Sequence, residues 1–112
     1  MTDVIDYIEF PTRNRPLTIA FFQAAFGWGI TSYGPDYDAI TGAGIDGGVD
    51  QALSRVEATM AIIRTDDLDA AERRVLSAGG VITRAQFDFP GGRRFHFREP
   101  GGNELAVWIA RE

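Results

Sequence analysis

The chemically capable residues are few, and what is missing narrows the field first. The 112-residue sequence has no cysteine, and all eleven of its basic residues are arginine. Thiolate nucleophiles, disulfides and zinc–thiolate sites are therefore excluded. A Schiff-base mechanism has no side-chain amine to use. The single histidine, His96, stands in "RRFHFRE". In a strand, alternation puts Phe95 and Phe97 on one face, packed beneath a helix, and Arg94, His96 and Arg98 on the other. That row either binds an anion and lets His96 exchange protons near neutral pH, or forms a structural or dimer-contact edge. The second reading is preferred. In "VIDYIEF", Glu9 shares a face with Tyr7, and burial among apolar neighbours would make it the stronger base, so Glu9 is the candidate general base. Glu104 shares a face with Ala106 and Trp108 in "ELAVWIA". Glu9 and Glu104, with His96, offer a weak Mg²⁺ site. Ordinary salt bridges at strand ends are the plainer reading.

The elements that must position these residues follow from patterning. Alternating "VIDYIEF" reads as a strand, and "RPLTIAFFQAAFGW" as a helix capped by Asn14, with Pro16 in its first turn and Gly27 at its end. "ATMAIIR" is a second such strand. It leads into "TDDLDAAERRVLSAGG", capped by Asp66 or Asp67, with Asp69 in the first turn. Leu68, Ala71, Val75 and Leu76 make the apolar stripe of this helix, and Gly79 or Gly80 stops it. A shift of about 53 positions lays Tyr7 on Met60, Asn14 on Asp67 and Gly27 on Gly80. Each strand–helix pair is followed by three strand-like pieces: "GITSYG", "YDAIT" and "AGIDGGVD", then "VITRAQFD", "RRFHFRE" and "ELAVWIA". The pattern is βαβββ twice, in one domain over 1–112, with module one about 1–52 and module two about 56–112.

Composition sets outer bounds. A net charge of −5, with no basic cluster beyond Arg73-Arg74 and Arg93-Arg94, gives no footprint for nucleic acid. No apolar run approaches the roughly 20 residues of a membrane span. "MTDVIDYIEF" is acidic and alternating, unlike a signal peptide, so a cytoplasmic location is expected. "GAGIDG" has the look of a dinucleotide fingerprint but lacks the following helix. Its glycines, with Gly48, read as turn and close-approach positions.

Three stretches together resemble a known family. "YIEFPTRN" with "AFFQAAFGW" is similar to its opening strand and helix, and "MAIIRTDDLDAAERRVLSAGG" to the start of its second module. "FREPGGNELAVW" is similar to its closing hairpin, with Glu99 where an aspartate is usual. The family is the vicinal oxygen chelate superfamily of glyoxalase I, bleomycin-resistance proteins and extradiol dioxygenases. The resemblance implies an α+β fold: two βαβββ modules forming a curved mixed sheet, helices on the outer face, and a concave cleft. It also implies a homodimer.

Metal-dependent members place one ligand on each of four strands. Seven residues before each helix cap, those positions are Tyr7 and Met60, and three after Asn103 the position is Ala106. The fourth falls among Asp46, Asp50 and Gln51. A soft thioether, a neutral phenol and a methyl group make no site for a hard or borderline divalent ion. No metal and no other cofactor are expected. The vacated cleft would be apolar and aromatic, with Ile5 and Ala58 joining it by alternation. Its expected ligand-binding residues are Tyr7, Met60, Ile62, Arg94, Arg98, Glu104, Ala106 and Trp108. The implied function is binding of a small, partly aromatic organic ligand without covalent chemistry, as in bleomycin resistance. Two alternatives stay open. One is a lyase, isomerase or dioxygenase, either metal-free through Glu9 and His96 or with relocated ligands; the other is a partner-binding scaffold.

Overall fold

The computed structural model describes residues 3–52 and 57–111. The chain parts into two compact units, Tyr7–Met60 and Ala61–Glu112, the latter joined by Met1–Asp6. Each unit is a four-stranded mixed sheet with one helix, so the element order is βαβββ twice, in the expected α+β class.

In the first unit, β1 (Val4–Pro11) leads into α1 (Arg15–Phe26) through an Asn14 cap whose side chain accepts the Leu17 N–H at 3.1 Å. Gly27 ends the helix in the left-handed region, at φ 71°, where its N–H reaches the Gln23 carbonyl. Then come β2 (Gly29–Ser32), β3 (Tyr37–Thr41) and β4 (Asp46–Asp50), giving the order β2-β3-β4-β1. β1 and β4 run parallel, and the other pairs are antiparallel. Phe10 packs on Phe22 of α1 with ring centroids 5.5 Å apart, so alternation turns Tyr7 and Glu9 to the helix-free face.

The second unit holds β5 (Met60–Arg64), α2 (Leu68–Ser77), β6 (Val81–Phe89), β7 (Gly92–Arg98) and β8 (Glu104–Ala110), in the order β5-β8-β7-β6. Asp67 is the cap of α2; its side chain accepts the Ala70 N–H at 3.0 Å. The core forms where Leu68 and Ala71 of α2 meet Phe95, Phe97 and Val107. Phe95 is fully buried, as expected for a residue beneath a helix. Leu76 departs from the expected stripe: it is 51% exposed, while its neighbour Val75 in the same turn packs against the core, so the buried face of α2 is narrower than the stripe. The left-handed residue after α2 is Gly79, at φ 99°. Gly80 serves close packing instead, since a Cβ there would lie 2.6 Å from the Val75 Cγ1.

Residues 3–6 belong with this second unit. Asp3 accepts a hydrogen bond from Thr65 Oγ1 at 2.9 Å and pairs with Arg74. Ile5 lines a groove of about 370 Å³ beside α2 with Val75 and Phe97, rather than the expected aromatic cleft. Ala58 is exposed and precedes β5, so it too lies outside the expected lining. Among the described residues, no helix is long and apolar enough to cross a membrane.

Candidate functional site

Two clusters gather the residues of interest, one on the helix-free face of each sheet.

In the first unit, the β1–β4 register sets Glu9 opposite Gly48, and the β3–β4 register sets Ala39 opposite the same glycine. Tyr37 crosses this spot. Its hydroxyl donates to Glu9 Oε2 at 3.3 Å and lies 2.5 Å from the Tyr7 hydroxyl. A Cβ on Gly48 would come within 1.9 Å of the Tyr37 Oη, so only glycine leaves room for the ring. Glu9 is 6% exposed. Burial first, and then the Glu9 charge, push the Tyr37 pKa upward, so the phenol keeps its proton and acts as a donor to the carboxylate. A carboxylate held by a phenol can receive a proton from a substrate carbon or oxygen. Tyr37 is the residue that sequence reasoning missed; its partner Glu9 is 28 positions away, beyond any local pattern.

In the second unit, one face carries Ile62, Ala106, His96 and Arg84 in a cross-strand row. The next row carries Arg64, Trp108, Arg94 and Phe87. Arg94 and His96 are both buried, and Arg94 Nε donates to His96 Nε2 at 3.1 Å. Burial, then the Arg94 charge and the Arg84 charge, push the His96 pKa down to about 3. This favours the preferred structural reading of His96 over proton exchange near neutral pH, because the imidazole stays neutral there. Arg98 leaves the expected row for the hairpin, donating to the Gly102 carbonyl at 2.8 Å. Glu104 accepts from Thr83 Oγ1 at 2.6 Å. Trp108 donates to Asp6 at 2.9 Å, and the Arg64 guanidinium lies 5.1 Å above its ring.

Sequence reasoning also missed Arg64, Arg84, Phe87 and Phe89. The register of β6 slips between Ile82 and Arg84 and again between Arg84 and Phe87. Simple alternation would place Arg84 and Phe87, three apart, on opposite faces. The extra residue brings both to the Arg94–His96 side and sends Gln86 to α2, where it donates to Asp69 at 2.8 Å.

The family's metal positions do not fit a divalent ion. The Tyr7 hydroxyl is bonded to Tyr37, Met60 offers a buried thioether, and Ala106 offers no donor. Around the fourth position, Asp50 Oδ1 accepts the Ala52 N–H and Gln51 Oε1 accepts the Arg15 N–H. Among the described residues, no group of three or more His, Cys, Asp or Glu side chains is arranged to hold a metal ion.

The hairpin that follows β7 is held by Glu99. Its carboxylate accepts the backbone N–H groups of Gly101 and Asn103 and the Asn103 side-chain amide. Glutamate thus does the work of the usual aspartate, and these bonds hold its pKa below the ordinary carboxylate range.

A model of the Glyoxalase/Bleomycin resistance protein/Dioxygenase superfamily matches residues 4–107. No curated protein matches the chain. Among solved structures, a member of that superfamily from Vibrio splendidus 12B01 is similar at a TM-score of 0.73 and 15% identity, over 96% of this chain and 99% of that one. Methylmalonyl-CoA epimerase from Mycobacterium tuberculosis is similar at 0.72 and 14% identity, over 96% and 88% of the two chains. The Mn(II)-bound glyoxalase from Novosphingobium aromaticivorans is similar at 0.70 and 18% identity, over 94% of this chain and 38% of that one. At these identities the likeness is one of fold.

Proposed function

The chain belongs to the glyoxalase/bleomycin resistance protein/dioxygenase superfamily, and we propose that within it the protein binds a small, partly aromatic organic molecule without a metal ion. Binding is by shape and stacking, with no covalent step, in the manner of bleomycin-resistance proteins. The observation that carries this reading is the aromatic surface on the helix-free face of the second unit. There Trp108 and Phe89 lie with ring centroids 6.1 Å apart, and the indole N–H is fixed by Asp6. A ring held by its polar tip is a preorganised platform for another flat ring. The donor-poor set Tyr7, Met60 and Ala106 supports the metal-free part of the reading. In the same proposal two copies of the chain pair. The support is apolar surface on α1, where Leu17, Phe21 and Phe26 are each at least 60% exposed.

The test combines metal analysis of untagged protein with a panel of flat aromatic compounds, read by tryptophan fluorescence and thermal unfolding. The expected result is sub-stoichiometric metal and quenching by at least one member. A ligand present at a hundred times its Kd stabilises the fold by about 2.7 kcal/mol. A stoichiometric divalent ion, or a panel with no effect on the fluorescence, overturns the proposal.

A further inference from the structure

An apolar groove and an apolar helix both stand exposed in the same chain. The groove, of about 370 Å³, is lined by Ile5, Ile63, Ala71, Val75, Ala78 and Phe97. Ile5 in its wall is 52% exposed. The helix is α1, whose Leu17, Phe21 and Phe26 reach into solvent. Apolar side chains exposed together rather than singly mark a contact surface. The exposed rings are held in place. The Phe21 centroid lies 6.0 Å from that of Phe22 and 6.2 Å from that of Phe26, and Phe26 stacks on Trp28 at 5.2 Å. An anchor already fixed in its bound arrangement loses little entropy on docking.

Charge decides what the groove can take. Its charged residues are answered within the chain: Arg74 pairs with Asp3, Asp3 also accepts from Thr65, and Glu99 accepts the N–H groups of Gly101 and Asn103. A charged segment docking there would desolvate a charge without gaining a counter-charge. An uncharged segment carries no such cost. From Pro16 to Trp28 the sequence has no Asp, Glu, Lys or Arg. In a chain of net charge −5, this stretch meets a second copy without repulsion at the contact.

We propose that α1 of a second copy docks in this groove, with Phe21 and Phe26 as its anchors. The inference rests on the pairing reading above and adds the surface that α1 meets. Each copy carries one groove and one α1, so a two-fold axis makes the contact reciprocal and closes the pair. Aromatic anchors seated in apolar pockets carry most of the affinity of such contacts.

The experiment is sedimentation velocity of the full chain at micromolar concentration, with circular dichroism to check each fold. Ile5→Arg closes the groove and Phe21→Arg removes an anchor. Ala78→Arg, at an exposed position on the groove wall, is a second groove variant should Ile5→Arg not fold. The expected result is a dimer for the unaltered chain and a dimer Kd raised at least about tenfold by each variant, the scale of one lost anchor. An equimolar mixture of Ile5→Arg and Phe21→Arg should recover dimer, because the first keeps an intact α1 and the second an intact groove. Groove variants that pair as well as the unaltered chain, while Phe21→Arg does not, overturn the inference and leave pairing through α1 standing. A mixture holding no more dimer than either variant alone overturns it too. So do species larger than a dimer, since the contacts would then not close. If the unaltered chain is a monomer, both fall.

Discussion

His96 sits between the Arg94 Nε that donates to it and the charge of Arg84, and its pKa falls from 6.5 to about 3. The sign of the pH effect follows. Above pH 6.5 the imidazole is neutral in folded and unfolded chains, and its full contribution to stability is present. Between 6.5 and about 3, the unfolded chain takes up a proton that the folded chain refuses. Stability therefore falls with pH at a limiting slope of about 1.4 kcal/mol per unit. Urea unfolding from pH 7.5 to 5 should show this decline, and His96→Gln should flatten it. An NMR titration in which the His96 ring shifts between pH 8 and 5.5 would contradict the account. Glu99 acts in a lower window. Its depressed pKa adds stability above the ordinary carboxylate value of 4.5, which is lost as pH drops through the folded value.

Among the elements, the helices and β6 differ in how local their causes are. Asn14 and Asp67 each satisfy one N–H in the first turn of a helix, at equivalent places in the two units. Replacing either by alanine should cost about 1 kcal/mol in chemical denaturation, with little change in the denaturant dependence. A loss below a few tenths for both would mean that the caps are not what starts these helices. The β6 strand follows a tertiary demand. Ile82 must reach the α2 core, while Arg84 and Phe87 lie on the opposite face, so the strand gives up regular pairing twice.

For the molecule as a whole, no residue of α1 is fully buried, and Leu17, Phe21 and Phe26 stand in solvent. Pairing of two copies through this surface predicts a sedimentation coefficient of a dimer at micromolar concentration. Leu17→Arg with Phe21→Arg should shift it to that of a monomer with the circular dichroism unchanged. A monomer in the unaltered protein would remove the proposal of pairing. Because the net charge is negative, raised salt should weaken repulsion between copies and favour the dimer.

By itself the sequence determined the order of elements, the Asn14 cap, a second cap at Asp66 or Asp67, the Gly27 stop and the burial of Phe95 and Phe97. These depend on residues within a few positions of one another, where alternation, capping and glycine geometry act directly. It also determined that Tyr7, Met60 and Ala106 are poor metal donors, which is a matter of side-chain chemistry alone. Only the tertiary structure decided that Tyr37 reaches Glu9 over Gly48, that Ile5 and Leu76 leave their expected places, and that Arg98 turns to the hairpin while Arg64 and Arg84 flank the aromatic face. Those outcomes depend on strand register and on charges and rings contributed from distant positions. A one-residue slip in pairing reverses a side chain's face, and no local pattern records where the slip occurs.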